Sequence, residues 1–355
     1  MTRIRVRGEE VRHYILQNVE ANPTDICKAA ADHFGVSRQA INIHLQRLVR
    51  EGALNDTGRT RNRSYSLAPL VKWRKSYEIT AGLEEDIVWR NDISEVLGQL
   101  PENVKDIWHY GFTEMFNNAR DHSGGTMISV LIEKTSVGTE MAIIDNGVGI
   151  FRKIQTELNL LDERHAVFEL TKGKLTTDPA RHTGEGIFFT SRMFDDFNIM
   201  SAGIYFAHEF GNVEDWILER SNPEEARTSV WLKLNNHTSR TLKKIFDQYS
   251  SGDDYGFTKT VVPVRLAQYG NDRLISRSQA KRVVARVELF KVVIFNFENV
   301  STIGQAFADE IFRVFARQHP EIEILVSHAN SEVQRMIERA KANSPIDERV
   351  AHSPE

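Results

Sequence analysis

The chain has 355 residues, of which 41% are hydrophobic and 26% charged, the proportions of a globular protein with room for two or three cores. No apolar run approaches the ~20 residues that span a bilayer, and the opening MTRIRVRGEE lacks the apolar stretch of a secretory signal. Cys27 is the single cysteine, so disulfide scaffolds are excluded and the expected location is cytoplasmic, with no membrane partner.

The net charge of −4 is unevenly spread: residues 1–68 carry 11 Lys/Arg against 7 Asp/Glu, and the remainder sums to −8. A basic head on an acidic body points to nucleic-acid contact through the head alone. The head opens with three helical patterns. Residues 8–21 carry Val11, Ile15, Leu16 and Val19 at helical spacing. Residues 24–34 start at a capping Thr24 and stop before Gly35, and a third helix starts at a capping Ser37 with the stripe Ile41, Leu45 and Leu48. Arg38, Gln39, Asn42 and Gln46 lie off that stripe, and side chains of these types read base edges. After Gly52, the strand-like ALN and SYSLA flank a tip with Arg59, Arg61 and Arg63. This order resembles the winged helix-turn-helix family. The resemblance implies that residues 1–68 bind duplex DNA, with the arginine-bearing wing on phosphate. Residues 69–84 read as a linker.

In residues 85–236 the stretch FTEMFNNARDHS (112–123) combines two rows on one helix. Trp108, Phe112, Met115, Phe116 and Ala119 follow the spacing of a core face. Glu114, Asn118 and His122, each four apart, form a polar row about 100° to one side, whereas Asn117 and Arg120 face most directly away. A polar row beside a buried face suggests a pocket wall. Further on, MAIIDNGVGI (141–150) reads as a strand ending at Asp145, and RHTGEGIFFTSRMF (181–194) sets Gly184 and Gly186 before an apolar helix, where backbone N–H groups can meet phosphate. The chain contains neither a GxxxxGK[ST] loop nor a GxGxxG fingerprint.

The order ExxxNxxxH, DNGxG and glycine-x-glycine resembles the GHKL ATPase superfamily, which joins gyrase, a class of heat-shock chaperones and the histidine-kinase ATP domains in the Bergerat fold. That resemblance implies ATP and Mg²⁺ as cofactors. It gives Asn118 the metal, Asp145 the adenine amino group, and Gly147 and Gly149 the turn beside it. Thr183, Gly184 and Gly186 fall to the phosphates, Thr228 supports the adenine site, and Glu114 becomes the general base. Asp121 and His122 complete the first box, with His122 resembling the anti-sigma-factor kinase branch. Residues between Ile150 and Thr183 would be the lid, with Lys172, Lys174 and Arg181 as phosphate contacts. The second glycine box is short, and Glu185 should point away from the phosphates.

After a second linker at 237–254, residues 255–345 alternate strand and helix: KTVVPVRLA, SRSQAKRVVARVEL, KVVIFNF, IGQAFADEIFRVFARQH, EIEILVSHA and SEVQRMIERAKA. The strand-NVS-helix passage resembles the STAS domain of anti-sigma-factor antagonists, with Gln305 where that family keeps its phosphoacceptor serine. A disordered tail covers 346–355.

The fold class expected is therefore multidomain α+β: a winged helix-turn-helix, a Bergerat-fold α/β sandwich and a small STAS-like α/β domain. The function expected is a regulator in which Mg-ATP controls the DNA-binding head and a protein-binding STAS-like tail, in a chain able to form a homodimer. The enzymatic alternatives are a slow ATPase and a protein kinase of the anti-sigma-factor or histidine-kinase type. Against a histidine kinase, no phosphoacceptor helix precedes the ATP domain; against a gyrase-like motor, no transducer domain follows it.

Overall fold

The computed structural model describes residues 2–59, 62–176, 183–212, 216–219, 227–251, 256–268 and 273–342. Arg61, Arg181 and the tail expected at 346–355 lie outside the described residues.

The head consists of α1 (Thr2–Asn18), α2 (Ile26–Phe34), α3 (Arg38–Arg50) and an antiparallel hairpin of β1 (Leu54–Thr57) with β2 (Ser64–Leu67). Gly35 adopts φ 62°, a left-handed conformation that ends α2 at little steric cost. Ser37 then caps α3 by accepting a hydrogen bond from the Ala40 N–H at 3.2 Å. Thr24 is not the cap of α2: the helix begins one residue later than expected, after Asp25, which makes no side-chain cap bond. Val11, Ile15, Val19, Ile41, Leu45 and Leu48 are buried together, with Leu16 packed at their margin. Each fully buried aliphatic side chain contributes about 1.5–3 kcal/mol. The Tyr65 N–H donates to the Pro23 carbonyl at 2.8 Å, fastening the hairpin to the start of α2.

Residues 69–84 are not a linker, because they contain β3 (Val71–Glu78), which pairs antiparallel with β4 (Met127–Lys134) as the edge of the central sheet. α4 (Glu85–Val88) passes through a π turn (Trp89–Ile93) into α5 (Ser94–Leu97). α6 (Glu102–Asn117) likewise ends in a π turn, Asn118–His122. There follow β5 (Gly138–Asp145), α7 (Ile150–Glu157), α8 (Glu163–Lys172), α9 (Gly186–Met193), β6 (Asp196–Ser201), β7 (Ile204–Glu209), β8 (Trp216–Glu219) and β9 (Thr228–Asn235). The seven strands form an antiparallel sheet in the order β3-β4-β5-β9-β6-β7-β8.

The register positions the site. Two apolar rows cross the sheet: Ile132, Met141, Leu232 and Phe197, and Val130, Ile143, Val230 and Ile199. These side chains join one core with Trp108, Phe112, Met115 and Phe116 of α6. Two residues further along the strands, on the same face because side chains alternate, the next row reads Ile128, Asp145, Thr228 and Ser201. The apolar face therefore turns polar at one end of the sheet.

The second expected linker also carries structure, since α10 (Leu242–Gln248) packs on α6 and α9, with Phe246 edge-on to Tyr110 and Phe189. Next come β10 (Lys259–Pro263), α11 (Arg277–Val284), β11 (Val292–Asn296), α12 (Gln305–Asp309), a π turn (Glu310–Phe315), α13 (Ala316–Gln318), β12 (Glu323–Ser327) and α14 (Ser331–Ala342). The three strands are parallel in the order β10-β11-β12, as strand-helix alternation requires. The molecule is a multidomain α+β protein. Among the described residues no helix is long and apolar enough to cross a membrane.

Candidate functional site

A cavity of ≈ 280 Å³ lies at the polar end of the sheet face, between α6, α7 and the start of α9. Glu114, Asn118 and His122 line one wall, Asp145 and Thr228 the sheet end, and Thr183, Gly184 and Gly186 the far side. Four stretches separated in sequence thus meet around one space. Met115, Ile143, Ile199 and Val230 supply its apolar lining.

Asp145 is 6% exposed and accepts a hydrogen bond from the Gly147 N–H at 2.8 Å. Burial raises its pKa, opposed by hydrogen bonds from Gly147 and Thr228. Thr228, opposite Asp145 in the register, accepts from the Ile150 N–H at 3.0 Å through its Oγ1, which ties the sheet end to the first turn of α7. Gly147 and Gly149 do not line the cavity; they form the turn between Asp145 and α7.

Glu114 is half-buried, and its carboxylate lies against the backbone of Gly186 so closely that a Cβ there would collide with its Oε2. Any other residue at 186 would displace the carboxylate. Burial, then the nearby Glu185, raises the Glu114 pKa. Glu185 does not itself line the cavity, and burial raises its pKa too, with Lys174 opposing. Gly184 has φ 73° and meets the Leu175 backbone, whose N–H donates to the Gly184 carbonyl at 3.1 Å. Asn118 and His122 are the first and last residues of the π turn that ends α6, and both line the wall; π turns are frequent at functional sites.

Several expectations are corrected. Lys172 lies away from the cavity: it is 1% exposed, and its Nζ donates to Glu169 Oε1 at 2.7 Å and to the Arg282 and Ala285 carbonyls at 2.9 Å. Lys174 donates to the Leu289 carbonyl at 2.9 Å and stands over the Phe290 ring. Asp121 is exposed and pairs with Arg120 at 2.7 Å. The segment from Ile150 to Thr176 is not a loose lid, because α7 and α8 bury Phe151, Ile154 and the whole of Ala166–Lys172. Asn117 and Arg120, expected to face most directly away from the core, are half-buried rather than fully exposed, and Arg120 donates to Leu83 and Glu85. Packing against the segment before α4 overrides the helical wheel.

Lys153 is a cavity-lining cation that the motifs did not single out. Its Nζ donates to the His122 carbonyl at 2.8 Å and lies 3.7 Å from Glu157. Its position was visible in outline, since Ile150, Lys153 and Ile154 share one helical face at i, i+3 and i+4. Thr176, Leu170 and Leu175 also line the space.

In the head, Arg38, Gln39, Asn42 and Gln46 are exposed on α3, and Asn42 Oδ1 accepts from Cys27 Sγ at 3.6 Å. Arg59 is exposed. Arg63 is not free for phosphate: it binds Asp56 Oδ2 through Nε at 2.9 Å and Nη2 at 2.5 Å.

In the tail, the loop after β11 is tied to α14, with Asn330 Nδ2 donating to the Val300 and Ser301 carbonyls at 3.0 Å and Thr302 Oγ1 to Glu332 at 3.2 Å. Gln305 is the first residue of α12. Residues 279–334 match the model of a family described as a STAS-like domain of unknown function (DUF4325). The C-terminal domain is STAS-like. No curated protein and no solved structure matches the chain.

Proposed function

We propose that the central cavity binds Mg-ATP in the manner of GHKL ATPases, and that its occupancy controls a winged-helix, DNA-binding head and a protein-binding STAS-like tail. The observation that carries this reading is the convergence of Glu114, Asn118, His122, Asp145, Thr183, Gly184, Gly186 and Thr228 on one cavity. The residues suit the ligand. A buried carboxylate acceptor at the end of an apolar row matches the amino edge of a flat adenine, and Met115, Ile143, Ile199 and Val230 match its faces. Lys153, the backbone at Gly184 and Gly186, and the start of α9 favour the phosphates. Asn118 would hold Mg²⁺, with Glu114 beside it as the general base. Among the described residues no group of three or more His, Cys, Asp or Glu could hold a metal ion. Magnesium generally takes one or two protein ligands, with substrate phosphates and waters completing its shell. When bound, the ion neutralises phosphate charge.

Asp145→Asn is expected to weaken Mg-ATP by about 5- to 150-fold in calorimetry, because an unmet buried polar pair costs ~1–3 kcal/mol. Asn118→Ala should remove the Mg²⁺ dependence of binding. Unchanged affinity in both variants sinks the nucleotide reading.

For the head, the full chain is expected to shift duplex DNA with an affinity that falls steeply as salt rises. Arg59→Ala should lower the salt slope by about 1, whereas Arg63→Ala should leave it unchanged because Asp56 already neutralises that guanidinium. Asn42→Ala should alter sequence preference. No shift at low salt would refute DNA binding.

A further inference from the structure

Outside the cavity, a cluster of charged groups lies between the central domain and the STAS-like tail. α8 is buried on several sides because it lies between two bodies, packing on α7 and α9 of the centre and on β10 and the 3₁₀ turn Val264–Ala267 of the tail. Its last residue, Lys172, donates three hydrogen bonds, all that an ammonium has. Two go to the carbonyls of Arg282 and Ala285 at the end of α11. Lys172 therefore caps a helix of the other domain, where free carbonyls favour a cation. The Thr260 hydroxyl of β10 donates back to the Lys172 carbonyl at 2.6 Å.

The contacts continue toward the cavity. Arg286 of the tail, at φ 66°, donates through Nη2 to the Lys174 carbonyl at 2.5 Å, and its Nε lies 3.6 Å from Glu169 Oε2. Lys174, also at positive φ (53°), reaches the Leu289 carbonyl of the tail. Non-glycine residues in this region are held there by their surroundings. The next residue, Leu175, bonds through its backbone to Gly184, and both line the cavity. One short run is thus pinned to the tail at one end and forms the cavity wall at the other.

We infer that Lys172–Leu175 is a coupling strap, through which a nucleotide in the cavity sets the order of the C-terminal end of α11 and the Arg286–Phe290 turn of the STAS-like domain. This inference rests on the proposed ATP site. A ligand that presses on Gly184 meets Leu175 directly, and Leu175 cannot shift without moving the Lys174 carbonyl held by Arg286. The same contacts make the effect reciprocal: whatever binds the tail near α11 alters nucleotide affinity by the same factor.

The test is hydrogen exchange of the full chain with and without saturating Mg-ATP, with binding followed in parallel by calorimetry. In the wild type, ATP should change exchange of amides 282–290 by about 5- to 150-fold, the usual range of coupling between sites. Arg286→Gly removes the guanidinium while glycine tolerates the positive φ, and Thr260→Val removes the hydroxyl at similar volume. In each variant ATP should still bind, but the nucleotide-dependent change at 282–290 should vanish or shrink. A variant that only loosens the tail, yet keeps the full ATP-dependent change, overturns the strap. So does wild-type protein that binds ATP with no change at 282–290. Absence of ATP binding in the wild type overturns the proposed nucleotide site, and the strap with it.

Discussion

Glu114→Gln is expected to leave Mg-ATP binding close to wild type while lowering hydrolysis by ~10²–10⁴-fold, the usual contribution of a positioned general base. Glutamine keeps the shape that fits against Gly186 but cannot take a proton. Burial and the nearby Glu185 raise the Glu114 pKa above the ordinary carboxylate value of ~4.3. A base with a pKa moved toward neutrality accepts a proton more readily, and it must be ionised to act. Hydrolysis should therefore decline as pH falls through this raised pKa. Glu185→Gln, by removing a like charge, should move the decline to lower pH. The stability linkage has the opposite sense. A carboxyl with a raised folded-state pKa contributes stability that is present below its unfolded pKa and lost as pH rises through the folded one. Glu114→Gln should consequently resist urea better than wild type at neutral pH. Phosphate release equal to wild type, with an unchanged pH profile, would leave Glu114 a structural residue.

Lys172→Met should destabilise the protein by ~3–5 kcal/mol, the cost of breaking a buried ion pair from one side. The variant leaves Glu169, 1% exposed, with His165 at 3.4 Å and Arg286 at 3.6 Å, and uncaps the end of α11. Burial lowers the Lys172 pKa, against the neighbouring Glu169. For Glu169, burial is outweighed by His165 and Lys172, which hold its carboxyl below the usual range. A depressed carboxylate contributes stability present above its unfolded pKa and lost as pH falls through the folded value, so acid should unfold the wild type by protonating Glu169. Glu169→Leu together with Lys172→Met should recover much of the loss, since no charge is then buried alone. The measurement is the urea midpoint followed by a tail-sensitive probe, at unchanged slope. A Lys172→Met midpoint equal to wild type would mean that the ammonium offsets no buried charge.

Much of the cavity was legible because its parts are local. Glu114, Asn118 and His122 share a helix flank by spacing alone, Asp145 ends an apolar strand and Gly186 opens an apolar helix. Lys153 escaped because one lysine on an amphipathic helix resembles any solvated lysine. Lys172 and Lys174 mislead for the converse reason: a cation near a glycine box suggests phosphate, and nothing nearby in sequence reveals the carbonyls that hold it. Arg63 became an internal ion pair because the hairpin register brings Asp56 beside it.

The sequence by itself determined the helices of the head, the strand-helix alternation of the STAS-like tail, the buried face of α6 and the polar row beside it. Each follows from periodicity over ten or twenty residues, where side-chain direction is set by the local backbone. Only the tertiary structure decided that residues 71–78 complete the central sheet, that α10 is a packed helix, and that α8 is buried between two domains. Lys172 and the Arg282 carbonyl it binds are 110 residues apart. Such pairings satisfy buried charges and backbone groups, and which distant group supplies the partner depends on how whole elements pack.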